Sequence, residues 1–524
     1  MGKQTGKRKE EREVSLLLGA GTVRMEKEEA VRVVLHIAPE PVEDLDPEIE
    51  DAALDALLAE NPDLNRYKPI FDSLRKMKPY QLSDELEKFL HDQSVVGTSA
   101  WNRLFDETMA ALKFDVDGEE MSLEATLNLL SDTDRKRREV GAKALVKVFS
   151  ANTPLFARIT NTLAKEKEIE DKWRNLPTPQ TSRHLSNDVE PEVVQALRDA
   201  VVAAYPKLSH RYYALKAKWL GLDKMEVWDR NAPLPGEDDL VIPWDQARAM
   251  VLDAYADFDP RMAALAEPFF DKGWIDAEVK PGKSSGAFAH PTVTDVHPYV
   301  MLNYLGKQRD VMTLAHELGH GVHQILAAGQ GQLLADTPLT LAETASVFGE
   351  MLTFRKLLDN APDQAARKRL LAGKVEDMIN TVVRQIAFYD FECRLHAARA
   401  EGELTPDQIN ALWMEIQHES LGDGFNFMEG YETFWTYIPH FIHSPFYVYA
   451  YAFGDGLVNA LYAVYEEGGD DFQEKYFDML KAGGSKHHKE LLEPFGLDAS
   501  DPKFWDKGLS LIASMIDELE AMEG

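Results

Sequence analysis

The chain has 524 residues, 44% of them apolar, and its 89 acidic side chains outnumber 57 basic ones, for a formal charge of −32. So negative a field argues against nucleic acid or anionic membrane as a principal partner, and the apolar content argues against wholesale disorder. The lone cysteine, Cys393, forbids a disulfide within the chain and fits a reducing, cytoplasmic setting.

Residues 1–40 differ in character from the rest of the chain. They are charged, then interrupted by glycine, then β-branched over Val31–Ile37, with no sustained helical period; we expect this segment to be poorly ordered or loosely attached. The basic start is broken by Glu10, Glu11 and Glu13 and leads into a short apolar stretch without a cleavage pattern, so it does not read as a signal peptide. No apolar run is long enough to span a bilayer. From about residue 43 to 280 apolar residues recur three and four apart, which predicts helix after helix, divided by Pro- and Gly-containing loops. Residues 282–304 alternate Gly, Ser, Pro and β-branched or aromatic residues and predict a short β-hairpin. Its edge could bind an extended peptide by strand addition. Helical periodicity then resumes to the C-terminus.

The chemistry concentrates between Asp310 and Gly329. Asp310 suits a helix N-cap and Gly329 a C-terminal stop. At 100° per residue Leu314, Leu318, Val322 and Ile325 share one face, while His316, His320 and His323 lie opposite. His316-Glu317-Leu318-Gly319-His320 is an HExxH sequence, whose two histidines sit one turn apart and can reach one zinc ion. Glu317 is rotated away from them, placed to take a proton from the attacking water and return it to the leaving amine. The alternative is a pair of histidines satisfied within a core. A catalytic zinc needs a third protein ligand, and Glu343 is the natural candidate. Glu350, seven residues on, would accept a ligating histidine's N–H. Thr340-x-x-Glu343 also fits a capping box, but a helix starting at Thr337-Pro338 would bury Glu343 two turns inside.

These residues resemble the oligoendopeptidase F branch of the thimet-oligopeptidase-like zinc peptidases. The likeness rests on Thr313–Gln324 and the Glu343 that comes after it. It extends upstream to Ser285–Lys307 and downstream to Arg384–Glu392 and Ile438–Gly454. The resemblance implies a mostly helical, two-lobed fold with a deep substrate channel and one small sheet beside the active-site helix. It divides the chain into the atypical segment 1–40, an N-terminal helical lobe over 41–200, shorter than usual, and a catalytic lobe over 201–524. It implies one zinc ion on His316, His320 and Glu343, Glu317 as general base, and short peptides as substrates. His440 and Tyr451, with Tyr447, would contact substrate and stabilise the tetrahedral intermediate. Tyr449 would point elsewhere. One departure from the pattern is Ile442-His443, where relatives carry an aromatic pair; His443 could replace a phenolic donor.

Two other readings stay open. A zinc carboxypeptidase of related fold would need a cation closing the channel, and an inactive peptide-binding protein would need none of the catalytic groups.

Overall fold

Periodic apolar positions become helices almost throughout. The structure, a computed structural model, describes residues 51–235, 241–280, 283, 286–469 and 471–523, together with a hairpin that pairs Val14–Leu18 with Gly21–Met25. The rest of residues 1–50, and with it the expected loose attachment of the N-terminal segment, lies outside the described residues.

Side-chain caps set several helix starts. Ser122 Oγ accepts the Ala125 N–H before the Leu123–Asn128 helix, and the Asp134 carboxylate accepts the Lys136 N–H before Arg135–Arg174. That second helix is 40 residues long and ends where Asn175 turns left-handed at φ 58°. Asparagine tolerates this conformation better than most residues. The fold is predominantly helical, as expected.

The predicted hairpin is present and gains a third strand. Phe288–His290 pairs antiparallel with Tyr299–Met301, which also pairs parallel with Ile275–Asp276. Two further small sheets were not legible in the sequence: Phe114–Val116 with Glu119–Met121, and Met225–Glu226 with Phe425–Asn426. The last joins segments far apart in the chain.

One buried apolar cluster runs from Phe105 to Leu519. Leu54, Leu58 and Phe71 form a separate, much smaller one. Polar contacts tie this small module to the body. Arg66 Nη2 donates to the carbonyls of Gly329, at 3.2 Å, and Gln330, at 2.5 Å, just past the histidine helix, and Lys76 pairs with Asp188. No helix among the described residues is long and apolar enough to cross a membrane.

Candidate metal centre and active site

The histidine helix spans Gln308–Ala327. It starts earlier than the sequence suggested. Lys307 is the N-cap, and Asp310, three residues in, accepts the N–H groups of Leu305 at 2.8 Å and Lys307 at 3.0 Å. Asp310 thus satisfies orphan donors from inside the first turn, as a capping-box acid does. Gly329 is not the stop either: a 3-10 turn over Ala328–Gln330 comes next, and Gly331 turns positive at φ 77°. Leu314, Leu318 and Val322 are fully buried, while Ile325 lines a cavity.

Glu343 reaches the histidines by a break, not from a helix interior. The chain forms a short helix, Leu339–Ala342, turns through Glu343–Ala345, and resumes as Ser346–Asp359. The capping-box alternative does not occur: Glu343 accepts the Ser346 Oγ–H at 2.6 Å instead of turning back to Thr340. The break lies against Gly319, where an added β-carbon would stand 2.6 Å from Ser346 Cα and 2.8 Å from the Ala345 carbonyl carbon. Glycine at the fourth position of the motif therefore lets the backbone bearing Glu343 lie on the histidine helix. Gly454 leaves room for the Glu343 side chain, to whose Cγ an added β-carbon would stand 3.3 Å away.

The result is a three-donor cluster. Glu343 Oε2 lies 3.4 Å from His316 Nε2 and 3.4 Å from His320 Nε2. A tetrahedral ion with bonds of about 2.0–2.1 Å separates its ligand atoms by about 3.3–3.4 Å, so the donor set has the size of a zinc site. Burial alone would raise the Glu343 carboxyl, but His320, His316 and Ser346 hold it down to about 2, ionised as a ligand must be. His316 Nδ1 faces Glu350 Oε2 at 3.3 Å, which leaves Nε2 with its lone pair toward the cluster.

The sequence did not reveal what holds Glu350. Lys374, buried, donates to Glu350 Oε1 at 2.5 Å, and the pair keeps Glu350 ionised, at about 2, against the effect of burial. Asp455, buried beside them, is pushed up to about 6 by desolvation, which Lys374 only partly offsets. A signal existed: Lys374 sits among Leu371, Val375 and Met378, all buried on the same helix, where a lysine needs a partner.

Glu317 is buried, its carboxyl raised by desolvation, an effect that the two histidines and, more weakly, the backbone of Ala289 on the edge strand oppose. Gln324 reaches the Ala289 carbonyl at 3.5 Å. His323 is buried outside the cluster, its imidazole lowered to about 4 by desolvation and by His320. Between His320 and the 291–298 loop lies a cavity of about 660 Å³, walled by Trp274, Ile325 and Asp336 among others.

The later motif brings the remaining candidates together. His440 Nε2 is 3.1 Å from Tyr451 Oη, and the Tyr447 and Tyr451 rings pack edge to face with centroids 5.3 Å apart. Burial, Tyr447 and Glu343 push the Tyr451 phenol up to about 12, so it stays a donor, and Glu343 acts on Tyr447 as well. Tyr449 points away into the core, its Oη 2.9 Å from Asn187 Nδ2 and 3.1 Å from His184 Nδ1. His443 is turned outward to Asp106, at 2.8 Å, which removes it from the donor role suggested for it.

A second group, Glu190, His487 and His488, also gathers possible metal donors among the described residues. Its geometry differs. His488 Nε2 makes a direct 2.9 Å bond to Glu190 Oε2, and the Lys489 ammonium lies 2.7 Å from Oε1, where a cation would sit. That cluster is an ion pair already complete.

Similarity to known proteins places the chain in a family. The family description "Peptidase family M3" matches residues 257–511, which include the HExxH helix, Glu343 and the tyrosine motif, and "Oligopeptidase F" matches residues 48–114. Oligopeptidase PepF of Bacillus subtilis is 27% identical over 90% of this chain and 72% of its own length. Group B oligopeptidase PepB of Streptococcus agalactiae is 28% identical over 90% of this chain and 79% of its own length. The crystal structure of oligoendopeptidase-F from Enterococcus faecium, at 23% identity, superposes with a TM-score of 0.72 over 90% of this chain and 81% of that one. With the two matched segments at the two ends of one fold and the donor cluster inside the longer, the chain belongs to peptidase family M3, in its oligoendopeptidase F branch, and is a peptidase.

Proposed function

We propose that this peptidase is a zinc-dependent endopeptidase of short peptides, with zinc held by His316, His320 and Glu343 and with Glu317 as general base. The reading rests on the pair of 3.4 Å separations that join Glu343 to both histidines. Zinc bound there supplies a Lewis acid for the scissile carbonyl. Glu317 takes the proton of the attacking water and delivers it to the leaving amine; its burial makes it a stronger base than a solvated glutamate. Glu350, braced by Lys374, holds the Nδ1–H of His316. Tyr451 and His440 offer hydrogen-bond donors to the developing oxyanion, and Tyr447 packs against both rings. A cytoplasmic location goes with the single cysteine.

One observation favours the carboxypeptidase reading: Arg183 stands beside the tyrosines, its guanidinium carbon 5.6 Å from the Tyr447 ring centre, and could hold a C-terminal carboxylate. An internally quenched peptide blocked at both ends separates the readings. Cleavage by zinc-loaded protein, lost on chelation and restored by about one zinc per chain, supports the endopeptidase. Trimming of free C-termini alone supports the carboxypeptidase. Binding without cleavage by fully metallated protein would leave a peptide-binding protein.

A further inference from the structure

Arg384 opens a segment that the sequence singled out and that the chemistry above leaves unused. It shares the wall of a cavity of about 30 Å³ with Arg230, and the remaining walls are mostly aromatic, Trp228, Trp413, Tyr431 and Tyr437 among them. None of the candidate active-site residues lines it.

Neither guanidinium has a carboxylate partner among the described residues. Arg384 gives one N–H to Tyr437 Oη at 3.3 Å and lies over the Phe388 ring, 4.9 Å from its centre. Arg230 makes no side-chain hydrogen bond or ion pair among the described residues. Its electrostatic neighbours are the phenols of Tyr431, Tyr213 and Tyr437, neutral at pH 7, and Glu376. Glu376 is already held by Lys216 Nζ at 2.5 Å and Tyr212 Oη at 2.8 Å. Desolvation and Arg230 together push the Arg384 guanidinium down, so two like charges face one another away from bulk water.

The unpaired polar atoms of the wall are all donors. Nε of Arg230, Nε of Arg384, Nε1 of Trp228 and Nε1 of Trp413 are buried without a protein acceptor. A buried donor left unpaired is costly, and a buried charge without a counter-charge more so. Water could accept these hydrogen bonds but would leave both charges standing. A cavity this small admits about one or two water-sized bodies, which rules out a bulky polyanion.

We propose that this cavity is a structural anion site that holds a small monoanion of the halide class, chloride foremost, between Arg230 and Arg384. The anion accepts the indole and guanidinium N–H groups and offsets the paired charge. Through Arg384 and Tyr437 it braces the Tyr431–Tyr437 turn, which leads by Ile438 and Pro439 into His440.

The test uses the full chain, zinc-loaded. Crystals grown or soaked in bromide should show an anomalous peak inside the cavity, between the two guanidinium groups. At constant ionic strength, 100 mM chloride in place of gluconate, roughly a hundredfold over a millimolar Kd, should raise Tm by about 1–3 °C. Arg384→Gln should abolish that rise, and Trp413→Phe, which keeps the ring and removes one donor, should at least halve it. If Arg384→Gln does not fold, Trp413→Phe decides. Bromide found only on the surface, water alone in the cavity, or an undiminished chloride response in Trp413→Phe would each overturn the proposal.

Discussion

Gly319 and Ser346 are in backbone contact: a β-carbon on the glycine would stand 2.6 Å from the serine's Cα. The two segments that carry the candidate metal donors therefore meet through the one side chain that is absent. Gly319→Ala must push the Glu343 turn away from the histidines by several tenths of an ångström. We expect it to weaken zinc binding by about 10–100-fold, the loss typical of disturbed ligand support, as read by competition with a chromogenic chelator. Unchanged affinity would show that the turn can yield without moving Glu343.

Glu317→Gln preserves shape but cannot accept the water's proton. Zinc content should stay near one per chain while kcat falls by about 10²–10⁴-fold. Substantial turnover in a metal-loaded variant would remove Glu317 from the base role.

Tyr451 and Tyr449 separate function from stability within one helix. Tyr451→Phe removes a donor beside His440 and should lower kcat about 10²–10³-fold with little change in KM. Tyr449→Phe strips a hydroxyl bonded to Asn187 and His184. It should leave kcat nearly intact and cost about 1–2 kcal/mol of stability, so it is not a silent substitution. The reverse pattern in steady-state kinetics and chemical denaturation would reassign the oxyanion donor.

Lys374→Met leaves the largely buried Glu350 beside His316 without its cation, which is itself buried. Removing one member of a buried pair costs about 3–5 kcal/mol, and we expect a lower denaturation midpoint together with weaker zinc binding. The double variant Lys374→Met/Glu350→Gln should recover part of the stability but not the zinc affinity, because the charge on residue 350 is then no longer stranded while His316 loses its anionic acceptor. Equal zinc affinity in all three proteins would separate Lys374 and Glu350 from the metal centre.

Glu392 is buried, accepts the Phe446 N–H at 2.8 Å, and is raised by desolvation to about 8. Its folded value lies above its unfolded one, so the native state holds a proton there that the unfolded chain releases. Stability should fall as pH rises from about 4.5 to about 8, by on the order of a few kcal/mol for this group. Glu392→Gln keeps an acceptor for Phe446, which sits at φ 59° before Tyr447, and should flatten that slope in Tm measured against pH. An unchanged slope would mean that Glu392 titrates normally.

Helix content, the hairpin and the histidine pair were legible in the sequence because each rests on local spacing: a 3.6-residue apolar period, alternation over 282–304, histidines one turn apart. The ends of the histidine helix were misread by a few residues, since Asp310 caps from inside the first turn, a choice local composition does not separate from an ordinary N-cap. What the tertiary structure decided was everything that depends on close approach. It broke the helix at Glu343 so that one carboxylate reaches two histidines, and placed Lys374 behind Glu350 and Asp455 beside them. It also sent His443 to Asp106 and brought Arg230 to Arg384 across more than a hundred residues. A pattern in sequence fixes which face of a helix is apolar; which charge ends up opposite which depends on how those faces pack, and desolvation then sets what each charge costs.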